Sequence, residues 1–413
     1  MSTIARFIGR RLLQQPKNAK RTSLGGQFSE ALSFSTTTSA AATGGGRGGI
    51  HNQSFHSPCL LLQNLFSPLQ DHSTSNTIHY FSLKDNKIIE KQRNYWPTEK
   101  KYVVPQEAHL IGSSRGWLAY LDLSRDDPFD FDSSTAPVYL TNPSLPVHYT
   151  HIVQLGRYCS DVQRIALSSC SPSKKTAMAF LDDTQQIAFR TMDPNVWTCI
   201  PYESKQYLDV VYFDKHKRFY GWNDHGLCEE GKLESWDVSG FDQPCAVMKP
   251  TFSSLKVKKD TGFSVYDTRY LVESSGELYL VFRYIAQCAD EDKNKEKLPD
   301  EVLPSCLMPY NTVDFAVYKL NFEKQRWKPV DDLGDRAFFL GRNESFSLST
   351  RDFPYLRRNS IYFAGVKDAG IFNIGEDSIE KLHLGDSASK LPKPEHWLMV
   401  DETSLQDSGS VGS

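Results

Sequence analysis

Long apolar runs are missing from this 413-residue sequence. No stretch approaches the roughly 18 apolar residues that a bilayer-spanning helix needs, so no membrane span is expected. Paired cysteines are missing too. The eight cysteines stand at 59, 159, 170, 199, 228, 245, 288 and 306, with no C-x-x-C pair among them. Such scatter argues against a disulfide framework and for free thiols in a reducing compartment. The phosphate-cradling loop G-x-x-x-x-G-K-[ST] is absent, and so is H-E-x-x-H. His148 and His151 are three apart in an extended segment, which points their side chains to opposite faces. No metal, no cofactor and no catalytic constellation is therefore expected.

Acids are scarce at the start of the chain. Over the first 70 residues Glu30 alone stands against Arg6, Arg10, Arg11, Lys17, Lys20, Arg21 and Arg47. Ile4, Phe7, Ile8 and Leu12 recur at i, i+3, i+4 and i+8, an amphipathic helix with Arg6, Arg10 and Lys17 largely off the apolar stripe. Arg11 falls near the edge of that stripe. A Ser/Thr/Ala-rich stretch over 22–43 follows, and then a glycine run from Gly44 to Gly49 interrupted by Arg47. Arginine-rich, serine-rich and acid-poor is the signature of an organellar transit peptide, here 1–40, with a Gly-rich linker over 41–56. Arginines this early favour a mitochondrial address, with plastid or dual targeting left open. Loss of 1–40 removes six bases and one acid, which moves the formal net charge from −3 to about −8. An acidic body lacks the basic stripe a phosphate backbone selects, so no nucleic-acid partner is expected.

Aromatic residues are abundant, at 12 %, and favour pleated, half-buried surfaces. A unit of strand, polar turn and return strand recurs along the body. It begins at His79, Val138, Ile187, Phe315 and Gly370, with turns rich in Asp, Asn, Gly or Pro. Trp197 and Trp327 stand near the start of two return strands, placed to pack between neighbouring sheets. A less regular unit surrounds Phe219–Trp222 and Leu233–Asp237, inside a longer gap. A period of about 40 to 50 residues with hairpins and tryptophans reads as propeller blades. The expectation is an all-β fold, a single propeller of about six or seven blades over 57–400, with a disordered tail at 401–413. The mixed-charge run from Asp290 to Lys297 reads as a solvated loop.

One catalytic pattern deserves weighing. Gly112-Ser113-Ser114-Arg115-Gly116 matches the G-x-S-x-G nucleophile elbow, which would make Ser114 a nucleophile. That elbow requires a strand turning into a helix, whereas Trp117 to Leu123 reads as a second strand. Tight-turn glycines account for the pattern better. Asn343-Glu344-Ser345 fits a glycosylation sequon, which has no meaning for a chain imported directly into an organelle.

These motifs carry a resemblance. The run from Gly112 and Gly116 through Trp117 and Leu118, followed by Leu140-Thr141-Asn142-Pro143, resembles the opening signature of the plant KIB-type β-propeller family, also called domain of unknown function 295. The later run from Leu333 through Gly334, Asp335, Gly341, Phe346, Ser347 and Leu348 is similar to that family's most distinctive stretch. The resemblance spans roughly Ser57 to Trp397 and implies structural roles for Gly112, Gly116, Trp117, Asn142, Pro143, Gly334, Asp335, Gly341, Phe346 and Ser347. It carries no catalytic residues. Many members of the family bear an F-box and act as substrate receptors of ubiquitin ligases. A presequence here takes the place of the Leu-rich three-helix F-box, so the chain is similar to the organelle-targeted branch. The leading expectation is thus a non-catalytic module for an organellar protein partner. The alternatives are a ligand-binding or enzymatic propeller using its central channel, and a receptor relative that has lost its F-box.

Overall fold

Apolar residues alternating with polar ones, rich in Val, Ile, Tyr and Phe, build 26 strands among the described residues, and no helix. A computed structural model describes residues 56–62, 77–92, 109–121, 137–142, 151–154, 162–169, 178–182, 187–190, 197–199, 207–223, 231–237, 246–248, 251–252, 265–287, 310–365, 368–384 and 395–401. All of these belong to the unit Ile50–Ser413; the unit Met1–Gly49 holds none of them. Arg6, Arg10 and Arg11 of the expected transit peptide, together with Pro143 and the charged run 290–297, lie outside the described residues.

The strands form six sheets among the described residues. In spatial order, the first contains β26 (His396–Asp401), β1 (His56–Leu61), β2 (Thr77–Ser82) and β3 (Lys87–Gln92). The second is β4 (His109–Ser114), β5 (Trp117–Leu121), β6 (Pro137–Thr141) and β7 (His151–Gln154). The third is β8 (Val162–Leu167), β9 (Met178–Asp182), β10 (Ile187–Arg190) and β11 (Trp197–Cys199). The fourth is β12 (Tyr207–Phe213), β13 (Arg218–Asn223), β14 (Lys232–Asp237) and β15 (Ala246–Met248). The fifth runs β17 (Val265–Ser274), β18 (Glu277–Gln287), β19 (Tyr310–Asn321) and β20 (Arg326–Val330), with β16 (Thr251–Phe252) parallel to β20 at its edge. The sixth runs β22 (Phe346–Ser349), β21 (Arg336–Leu340), β23 (Ser360–Ala364), β24 (Ala369–Asn373) and β25 (Ser378–Lys381).

One edge strand of each sheet faces its neighbours. β26 lies beside β4, β4 beside β8, β8 beside β12, β12 beside β17, and β17 beside β22. The buried clusters fall between adjacent sheets, as blades of a propeller require. Phe189, Tyr207, Phe219 and Trp236 join the third sheet to the fourth. Leu60, Phe81, Phe339, Tyr362 and Trp397 join the sixth to the first and so complete the ring. Its seam is antiparallel pairing of β1 with β26, in register from His56↔Asp401 to Leu61↔His396.

The periodic unit legible in the sequence is the outer hairpin of a sheet. His79, Val138, Ile187 and Phe315 lie on β2, β6, β10 and β19, each third from the axis, and Gly370 lies on β24. The long gap holds the fourth sheet, with Leu233–Asp237 on β14, and the paired β17 and β18. Trp327 is buried between the fourth and fifth sheets, edge-on to Trp222 at 5.8 Å. Several hairpins share one loop chemistry. Asn86, Lys217, Gln325 and Asp377 each end a four-residue turn at positive φ. In three of these loops the residue before the turn, Ser82, Asn321 or Asn373, accepts the amide three residues on with its side chain.

Candidate functional site

The G-x-S-x-G pattern is a hairpin and not an elbow. β4 turns into β5 through Arg115 and Gly116, both at positive φ (49° and 83°), the two-residue turn that matches strand twist. Ser114 is buried, donates to the Glu344 carboxylate and accepts the Leu167 amide at 2.9 Å. A serine whose hydroxyl is committed to a buried carboxylate and a backbone amide is a structural tie and not a nucleophile.

That carboxylate belongs to the segment Gly341–Ser345, between β21 and β22, which occupies the place where the inner strands converge. The Glu344 amide donates to the Ser113 carbonyl (2.8 Å) of the second sheet, and its carboxylate accepts the Tyr212 amide (3.2 Å) of the fourth. Asn343 Oδ1 accepts the Trp397 amide (3.0 Å), and the Arg342 amide donates to the Glu395 carbonyl (2.8 Å), both towards the first sheet. The Gly341 carbonyl accepts Arg164 Nη2 (2.9 Å) from the third sheet, and Ser347 meets Ser274 of the fifth at 2.9 Å. Together with Ser347 of β22, this stretch ties the sixth sheet to the other five. Only glycine fits at 341: a Cβ there would stand 2.5 Å from the Glu395 carbonyl oxygen and 2.6 Å from Asn343 Oδ1. The Asn343 sequon is buried whole, so no glycan can reach it.

Three inner strands bend to aim side chains at this centre. Register shifts fall between Leu110 and Gly112, Val162 and Arg164, and Tyr207 and Asp209. Arg164 Nη1 then stands 2.5 Å from Asp209 Oδ1, and Asp209 also accepts the Val210 and Leu271 amides (2.7 and 2.8 Å). Arg283 is saturated in its turn: it donates to Thr312 (2.8 Å), Asp368 (2.5 Å) and the Ala364 carbonyl (3.2 Å), and lies over the Phe363 ring.

Burial drives the protonation chemistry here. It pushes the Glu344 and Asp209 carboxyls up, against the pull of Arg115 on the first and Arg164 on the second. Burial also works against the Arg164 and Arg283 charges, but nearby acceptors outweigh it: Asp209 for Arg164, and Tyr270 with Asp368 for Arg283. His396 is pushed down to about 3, by burial first and then by Arg342 and Arg164, so it is neutral. Among the described residues, neither of its ring nitrogens has a hydrogen-bond partner. Beside these groups is a cavity of about 310 Å³, lined among others by Arg164, Tyr270, Arg283, Arg342, Asp368 and Glu395. Among the described residues, no cluster of His, Cys, Asp and Glu could hold a metal.

The motif residues divide between this centre and the sheets around it. Gly341 belongs to the axial segment, Ser347 follows it on β22, and Gly112 faces it, since a Cβ there would press on Ile165 and lie 3.7 Å from the Arg342 carbonyl. Gly116 makes the β4–β5 turn beneath the Asn142 side chain, and Trp117 is buried. Phe346 stacks on Phe339 at 4.8 Å, Asp335 pairs with Arg351 and accepts Ser349, and Gly334 sits at φ +65°. Sequence reasoning passed over Arg164, Asp209, Arg283 and Glu344. The available signal was a lone charge inside an apolar strand, as in Tyr207-Leu208-Asp209-Val210-Val211.

Comparison with known proteins agrees with this architecture. The chain is 25 % identical over 352 residues to the Arabidopsis thaliana F-box protein SKIP23, covering 75 % of this chain and 81 % of that protein. It is 27 % identical over 258 residues to the Arabidopsis thaliana F-box protein At2g17036, covering 56 % and 58 %. Among solved structures, TolB from Acinetobacter baumannii is similar at a TM-score of 0.39 and 10 % identity, covering 83 % of this chain and 66 % of that one. The sequence profile described as KIB1-4 beta-propeller matches residues 80–379, most of the ring just described. The chain belongs to the KIB1-4 beta-propeller family.

Proposed function

We propose that this protein is a non-catalytic interaction module that acts in an organelle, most simply the mitochondrion, by presenting the connections between its strands to a protein partner. The observation that carries the reading is the axial segment Gly341–Ser345. The polar groups that converge there bond one another, and Ser114, Glu344 and Asp209 are buried rather than presented to a substrate. A ring braced in this way can hold variable connections rigidly. The arginine-rich, acid-poor start of the sequence supports import.

A second reading follows from the relatives. SKIP23 and At2g17036 are named F-box proteins, and a shared propeller favours a substrate-receptor role in ubiquitin ligation. Proximity labelling from the full-length protein tagged after Ser413, read by mass spectrometry after organelle fractionation, separates the two. Mitochondrial neighbours are expected. Labelling dominated by cytosolic or nuclear ubiquitin-ligase subunits would overturn the organellar reading in favour of the second.

A further inference from the structure

The axial cavity is lined by three arginines, Arg164, Arg283 and Arg342, beside two carboxylates, Asp368 and Glu395. With Asp209 behind Arg164 the charges balance on paper, but not in what an incoming molecule meets. Arg342 is 40 % exposed and Arg164 11 %, whereas Glu395 is 2 % and Asp368 9 % exposed. Glu395 is buried behind the guanidinium it neutralises, 3.0 Å from Arg342 Nη1, whereas Asp368 and Arg283, 2.5 Å apart, are both largely buried (9 % and 4 % exposed). Arg283 spends its donors on protein acceptors and so acts as scaffold. Arg342 uses Nη1 for Glu395 and Arg164 uses both Nη atoms, which leaves the remaining N–H groups of Arg342 to face the opening. Tyr270, Ile285 and Ala364 give the same cavity an apolar wall. The depressed His396 agrees with a positive local field.

We infer that this cavity binds an oxyanion, a carboxylate or phosphate group carried on a small apolar body, with Arg342 as its anchor and the Arg164 charge beside it. Guanidinium presents paired N–H groups that match two oxygens of such a group, and about 310 Å³ lies at the small end of ordinary ligand pockets. The site goes beyond the interaction reading, and its failure would leave that reading standing.

The test is calorimetry and thermal shift on the full chain with benzoate, phenyl phosphate, inorganic phosphate and the neutral isostere benzamide. A short glutamate-containing peptide and its glutamine counterpart complete the set. Saturable binding of benzoate or phenyl phosphate, with a raised melting temperature and none for benzamide, is expected. Arg342→Gln should weaken it at least tenfold. Because that variant also removes an ion pair of the buried Glu395, Thr268→Phe provides a second variant, which narrows the cavity with the guanidinium groups in place and should weaken binding as much. Tighter binding of the glutamate peptide than of benzoate would place the anion on a partner chain, and the reverse would make it a free acid; both support the site. Binding of benzamide as tight as that of benzoate, an equal effect of inorganic phosphate, or unchanged binding by Thr268→Phe would overturn it, as would no saturable binding at millimolar concentrations.

Discussion

The spaces between the sheets and the axis of the ring are held by opposite materials. Between the sheets lie aromatic and aliphatic layers, such as Trp222 against Trp327 and Phe339 edge-on to Trp397 at 5.3 Å. At the axis lie Glu344, Asp209, Arg164 and Ser114, buried and bonded across sheets. Apolar layers are non-directional and tolerate adjustment, because burial scales with area. A buried ion pair is directional, and its desolvation is offset only when every partner is in place. The layers therefore supply driving force, while the axis fixes how the sheets sit against one another.

The sharpest way to break this comparison is to remove one member of each kind. Trp327→Ala should cost about 3–5 kcal/mol through lost burial and a residual cavity. Asp209→Ala should cost a similar amount, about 3–5 kcal/mol, by stranding the Arg164 charge and the Val210 and Leu271 amides. Urea unfolding measures both, and a cost below about 1 kcal/mol for Asp209→Ala would mean that the axis contributes little. Next in size, Gly341→Ala should cost about 1–3 kcal/mol, because its Cβ meets backbone at 2.5 Å and not a yielding side chain. A melting temperature equal to that of the parent would contradict the tight fit of the axial segment.

The smallest effect sharpens the comparison through pH. The folded-state value of His396 is about 3, below its ordinary 6.5, so the unfolded chain takes up the proton first. Its contribution is complete above pH 6.5 and is lost as pH falls from 6.5 towards 3, at up to about 1.4 kcal/mol per pH unit. The raised Glu344 and Asp209 carboxyls act with the opposite sign, favouring the folded state as pH falls. His396→Leu isolates the first effect. It removes two unpartnered ring nitrogens, so it should match the parent at pH 7 and exceed it at pH 5 in thermal melts. A variant that melts lower than the parent at both pH values would show that the ring nitrogens are satisfied.

The two materials also differ in how far the sequence discloses them. Each outer hairpin solves the same local problem, a strand, a four-residue turn and a return strand. The Asn, Asp and Ser chemistry of those turns therefore recurs at a readable period. The axial segment is unique in the chain, and its partners lie far away: Ser114 is 230 residues from Glu344 and Asn343 is 54 from Trp397. No periodicity can reveal a contact made once. The motif around Gly341 and Ser347 was visible as a resemblance, but its reason, a glycine pressed against Glu395 and a serine shared with Ser274, needed three dimensions. The same holds for Arg164, whose meaning depends on a bulge that turns it inward.

The pairing of β1 with β26 also sets an order in time. Strand β1 emerges before every other described strand, yet its inner neighbour is β26, whose residues His396–Asp401 follow all the others. Until they arrive, one edge of β1 has no partner and Leu60, buried in the finished ring, has no cover. An unpaired strand edge invites pairing with other chains. A nascent chain of this protein is therefore vulnerable to aggregation until β26 has been made, and chaperone dependence should concentrate in that interval.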